Sequence, residues 1–108
     1  MIIYNKLIRD KIPEIINEDG NDCEIKVLND NEYHAELNKK LQEELEEYYE
    51  SGEVEELVDL AEIIYAIAKH KGVDQQEFDS IRRKKAEKRG SFDKKLFLIS
   101  VKERGDNK

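Results

Sequence analysis

KLQEELEEYYESGEVEELVDLAE, residues 40 to 62, places two acidic pairs at helical spacing on either side of a Ser-Gly turn. Glu44 and Glu47 form one pair, Glu56 and Asp59 the other. In an antiparallel helical hairpin, facing positions have numbers that share one total. Here 44 with 59 and 47 with 56 both give 103, which centres the fold-back between Ser51 and Gly52. The spacing therefore predicts four carboxylates side by side.

Like charges gathered in this way raise one another's pKa values and oppose folding unless a positive charge sits among them. The economical occupant is a hard divalent cation, magnesium first and manganese as the alternative. Magnesium takes oxygen ligands in a near-octahedral shell, keeps several waters and completes its sphere with substrate phosphates. The hairpin points to phosphate chemistry.

Helical phase sharpens the expectation. Tyr33, Leu37, Leu41, Leu45 and Tyr48 form the apolar stripe of the first hairpin helix, and Glu44 projects only about 20° from Leu37, inside that stripe. Glu47 and Lys40 flank it on the same side, and Glu46 points away. A Glu-rich helix is usually a solvated face, and a single Glu-x-x-Glu says little. Two pairs matched across a tight turn, with one member inside the apolar stripe, say more.

The second helix is apolar over about half its circumference: Val54, Leu57, Val58, Leu60, Ala61, Ile64, Tyr65, Ile67 and Ala68, with Ile63 and Ala66 extending the surface. Such a helix calls for burial on several sides, by its own chain or by a second subunit. Glu56 and Asp59 lie at the margin of that surface, where charges need partners.

At 108 residues the chain is expected to form one domain, residues 1–108, with 103–108 a frayed tail. Its apolar fraction of 38% is low and its charged fraction of 42% high, a balance that suits amphipathic helices. A net charge of −7 argues against a nucleic-acid polymer or an acidic membrane as partner, since both demand a basic surface. No apolar run approaches a membrane span, and MIIYNKLIRDK lacks the order of a signal peptide. With the single Cys23 and no zinc-type cluster, a cytoplasmic location is expected.

Tyr4 to Glu18 reads as an N-terminal helical segment, with Asp10 as cap, Pro13 in the first turn and Gly20 as terminator. Glu24 to Leu28 reads as a connecting arm. Asn29 with Glu32 predicts a capping box opening a helix from Asp30 to Glu50; a second runs from Glu53 to Lys71, and Asp74 with Glu77 opens a third to Arg89. That third helix ends in IRRKKAEKRG, the one strongly basic run. Cations there stabilise a helix C-terminus by about 0.3 to 1 kcal/mol, and Lys85 and Arg89, one turn apart, are placed to meet phosphate oxygens as well. Tyr48, Tyr49 and Tyr65 read as core, and His34 and His70 as isolated residues near helix ends.

Four stretches, YNKLIRDKIPEII at 4–16, KLQEELEE at 40–47, EELVDLAEIIYAIA at 55–68 and KRGSFDKKLFL at 88–98, resemble the MazG-type, all-α nucleoside triphosphate pyrophosphohydrolases, and more closely their small phosphoribosyl-ATP pyrophosphohydrolase-like members. They cover over half the chain in the family's order. The resemblance implies a helical hairpin-based bundle completed by oligomerisation as a dimer or tetramer. Its Glu-x-x-Glu, spacer, Glu-x-x-Asp pattern falls on Glu44, Glu47, Glu56 and Asp59 as magnesium ligands, with Glu43 the extra acid seen in many relatives.

The implied reaction is hydrolysis of a nucleoside triphosphate between its α and β phosphates, with Glu44 or Glu47 in the catalytic role. Lys85 and Arg89 match the family's C-terminal basic motif and Lys6 and Arg9 its N-terminal one; Lys40, beside Glu44 by phase, joins them as a substrate-binding candidate. Arg83 stands where MazG-type relatives carry Asn, and Ser91 where Gly is frequent. Phosphoribosyl-ATP pyrophosphohydrolase of histidine biosynthesis and a non-catalytic helical interaction module are the alternative expectations.

Overall fold

The longest helix owes its start to two side chains. Asn29 accepts a hydrogen bond from the Glu32 backbone N–H (2.9 Å), and the Glu32 carboxylate accepts one from the Asn29 N–H (3.2 Å). This is the capping box that the sequence predicts, and it satisfies two of the donors a helix start leaves free. In the computed structural model, which describes residues 1–105, four helices form and no strand is present among the described residues.

They are α1 (Ile12–Glu18), α2 (Asp30–Ser51), α3 (Val54–His70) and α4 (Gln75–Arg89). The N-terminal helix is shorter than expected. It starts after Lys11 with no side-chain cap, so Asp10 does not serve as one, and Pro13 lies in its first turn as read from sequence. The last helix keeps half of its expected box, because the Asp74 side chain accepts from the Glu77 N–H (2.8 Å) without the reciprocal bond. Residues 24 to 28 form no regular element. Of the expected frayed tail, residues 103–105 are exposed and irregular, and residues 106–108 lie outside the described residues.

Between α2 and α3 the chain reverses at Gly52, whose φ of 67° and ψ of 13° place it in the left-handed region where an added Cβ costs roughly 1 kcal/mol or more. Its N–H closes the last turn on the Tyr48 carbonyl at 2.8 Å. The fold-back keeps one register along its length. Tyr33 packs edge-on against His70 at the open end (centroids 5.3 Å apart), and Glu44 meets Asp59 near the turn; both pairs share the total 103. His34 also stacks on His70 at 5.9 Å, so the two histidines are neighbours rather than isolated residues.

Leu37 (2% exposed) and Ile63 (9%) are the buried apolar residues of the seam. Tyr33, Leu41, Leu45 and Tyr48 are half-buried beside them, as the predicted stripe requires, whereas Tyr49 is exposed and is not core. α4 leans on α3 through Phe78, edge-on to Tyr65 at 5.5 Å, and through Asp79, which accepts a hydrogen bond from the Tyr65 hydroxyl (3.5 Å). α1 packs on none of the other helices. Large apolar side chains remain exposed on α3 (Val54, Leu57, Val58, Ile64), at the N-terminus and along Leu96–Val101. The radius of gyration is 20.1 Å, against about 13 Å for a compact chain of this length.

Leu37→Ala is expected to lower stability by about 2 to 5 kcal/mol through lost burial and a cavity in the seam, read as a lower urea midpoint. A midpoint matching the unsubstituted protein would place the seam elsewhere.

Candidate metal centre

Seven residues after Leu37, past half-buried Leu41, the next fully buried position of α2 is Glu44. The residue is 7% exposed, although a buried carboxylate normally demands pairing. One oxygen, Oε1, lies 3.7 Å from the Lys40 ammonium; the other, Oε2, is buried with no hydrogen-bond partner.

Around Glu44 the hairpin assembles the acids that the register predicts. Carboxylate oxygens of Glu44, Glu56 and Asp59 lie within 4.8 Å of one another, and so do those of Glu43, Glu44 and Glu47. Glu44 belongs to both groups, one spanning the two helices and one running along α2. Glu43 is closer to the centre than its helical phase suggests. The long side chain of a glutamate swings around the helix by more than a wheel diagram records, and the acid run preceding Glu44 was the available signal.

The electrostatics follow from burial and crowding. Desolvation first, then the adjoining Glu47 carboxylate, push the Glu44 carboxyl up from 4.5 to about 7, with Lys40 opposing and Asp59 adding to the rise. Glu56 is raised as well, by desolvation and by the charges of Glu47 and Asp59. At neutral pH the cluster therefore holds charge that the surrounding protein neutralises only in part.

Two cations reach it directly. Lys40 contacts Glu43 (3.2 Å) as well as Glu44, and Arg9 crosses from the N-terminal segment to Asp59 with Nη2 to Oδ1 at 2.6 Å. Lys6 lines a hollow of about 270 Å³ with Tyr4, Lys39, Lys40 and Glu43, so it stands beside the acids without touching them. Lys85 and Arg89 are exposed on α4 and form no ion pair among the described residues. The N-terminal basic element thus reaches the acids by contact and the C-terminal one does not. The fold-back of Arg9 onto Asp59, 50 residues apart, left no local mark in the sequence.

The donor set suits a hard divalent ion. It offers oxygens alone, from five carboxylates on two rigid helices, and includes an orphaned buried oxygen that a cation would satisfy. No helix among the described residues is long and apolar enough to cross a membrane. Compared with protein-family models, with curated proteins and with solved structures, the chain matches none.

The raised Glu44 carboxyl fixes the sign of one pH effect. Between about 4.5 and about 7 the folded state binds a proton at Glu44 that the unfolded state has lost, so the metal-free protein loses stability as pH rises through that window. The loss is expected to be on the order of 1 to 3 kcal/mol. Glu44→Gln should flatten the slope of urea midpoint against pH and raise the midpoint near pH 8; an unaltered slope would show that Glu44 is not the titrating group.

Proposed function

We propose that the chain is a magnesium-dependent nucleoside triphosphate pyrophosphohydrolase that cleaves between the α and β phosphates and serves nucleotide-pool housekeeping in the cytoplasm. The observation that carries this reading is Glu44, a carboxylate nine-tenths buried with one unpartnered oxygen, at the meeting point of acids from two helices. Burying such a group in an acidic cluster is costly, and a bound cation offsets that cost. The resemblance of residues 40–47 and 55–68 to the MazG-type pattern supports the same assignment.

In this reading Glu47, Glu56 and Asp59 hold the metal together with Glu44, and Glu43 supports them. Bound there, magnesium supplies neutralisation of phosphoryl charge and a more acidic water. Glu44, or Glu47 beside it, is placed as a ligand or as the base that takes a proton from the attacking water. The water oxygen forms a bond to phosphorus, the bridging α–β oxygen bond breaks, and the products are a nucleoside monophosphate and pyrophosphate. Arg9 and Lys6 lie beside the acids to bind phosphate oxygens, and Lys40 joins by exchanging a carboxylate for a phosphate. Lys85 and Arg89 act on the substrate only if α4 or a second copy brings them in. Self-association as a dimer or tetramer is part of the proposal, supported by the exposed apolar face of α3.

That same face favours a second reading, a non-catalytic interaction module that uses Val54, Leu57, Val58 and Ile64 to grip a partner. Turnover separates the two. Incubation with a triphosphate panel and magnesium should yield monophosphate and pyrophosphate, stop on chelation, and fall at least 100-fold in Glu47→Gln and Asp59→Asn. Orthophosphate as the product, or no turnover, would defeat the enzymatic reading, and a product only from phosphoribosyl-ATP would move it to histidine biosynthesis. Magnesium should also raise the melting temperature, as linkage requires of a site made only by the folded state.

Arg9→Ala should raise KM by about tenfold, in line with loss of one charge-assisted contact worth ~1.5 kcal/mol. Lys85→Ala in the same assay should have the smaller effect. The reverse order would assign phosphate binding to α4.

A further inference from the structure

Past Arg89 the chain leaves α4 at Gly90, where φ of 84° and ψ of 176° lie in a region that residues with a Cβ essentially avoid. The glycine directs the C-terminal arm away from the helix axis. A turn follows, closed by the Lys95 N–H on the Phe92 carbonyl (3.2 Å) with Lys95 at φ 59°, and Phe92 (95% exposed), Leu96 (86%), Phe97 (88%), Leu98 (76%), Ile99 (89%) and Val101 (79%) project from this irregular arm without being covered by their own chain. In an extended conformation Leu96 and Leu98 would fall on one side of the arm, with Phe97, Ile99 and Val101 on the other. An extended segment that is apolar on both sides is built to be covered on both sides.

A matching face exists on α3. Val54, Leu57, Val58 and Ile64 recur at helical spacing and are 39 to 72% exposed. From Val54 to Glu62 the same helix carries four acidic side chains and no basic one, whereas Phe92 to Arg104 carries four basic side chains against two acidic. The two surfaces are complementary in charge as well as apolar. The arm's own α3 does not receive it, since the arm side chains and the α3 face are both left exposed in the same chain. Six arm side chains of this size offer on the order of 800 Å² to a partner, the amount a stable interface takes from each side.

We infer that the arm of one copy, residues 91–104, docks on the exposed apolar face of α3 in a second copy, so that copies exchange arms. The inference rests on the self-association proposed above and names the surfaces that perform it. Beyond the turn at Phe92–Lys95, residues 96–101 reach up to roughly 20 Å when extended, enough to run along the ~15 Å length of the α3 stripe.

Disulfide trapping tests this without using turnover. Two differently tagged full-length proteins, Cys23→Ser/Leu98→Cys and Cys23→Ser/Val58→Cys, are mixed and mildly oxidised while their association is followed by sedimentation. The mixed disulfide should form at least tenfold more than with a Cys23→Ser/Lys39→Cys control in place of the Val58→Cys partner. Phe97→Asp/Leu98→Asp, which leaves every helix intact, should shift the sedimenting species toward the monomer. Association without that disulfide overturns the arm exchange and leaves self-association standing. So does closure within a single chain carrying both cysteines, and a chain that is monomeric at all concentrations overturns both.

Discussion

Everything in this protein turns on the crowding of carboxylates along one helical seam. Two helices joined by a two-residue reversal have a single register in which their apolar stripes meet, and that register brings Glu44 to Glu56 and Asp59 across the seam, with Glu43 and Glu47 beside it on α2. The apolar seam fixes the geometry, and the electrostatic cost comes with it. Moving Glu44 off the seam would relieve the repulsion, but its neighbours Leu37, Leu41 and Leu45 hold the helix face inward. The protein therefore carries local strain of charge inside its best-packed region.

Lys40 and Arg9 moderate that strain from two directions. Lys40 sits one turn before Glu44 and is largely covered, whereas Arg9 and Asp59 remain accessible to water. An exposed ion pair contributes little to stability and exchanges readily, so the Arg9 contact is better suited to releasing Asp59 than to locking it. This makes the N-terminal segment, rather than the basic end of α4, the part of the chain in contact with the acids.

The second constraint is the shortage of core. Leu37 and Ile63 are the buried apolar residues, while α3 keeps an apolar face open and the C-terminal arm exposes apolar groups on both sides. A chain with so much apolar surface outside its seam gains stability mainly by covering it. The acidic site and the open face of α3 belong to the same helix, so covering one changes the surroundings of the other.

Periodicity alone determined much here. The capping box at Asn29 and Glu32, the reversal at Gly52, the stripe from Tyr33 to Tyr48 and the four facing acids all follow from local spacing, because helix caps and helical faces are properties of a few neighbouring residues. Only the tertiary structure decided that Arg9 reaches Asp59, that Glu43 joins the cluster, that His34 and His70 stack, that Tyr49 faces water, and that α1 starts at Ile12 without Asp10 as cap. Those outcomes depend on how irregular segments return to the hairpin and where long side chains settle. No repeat in the sequence encodes them, since they are set by closure of the chain in space rather than by the turn of a helix.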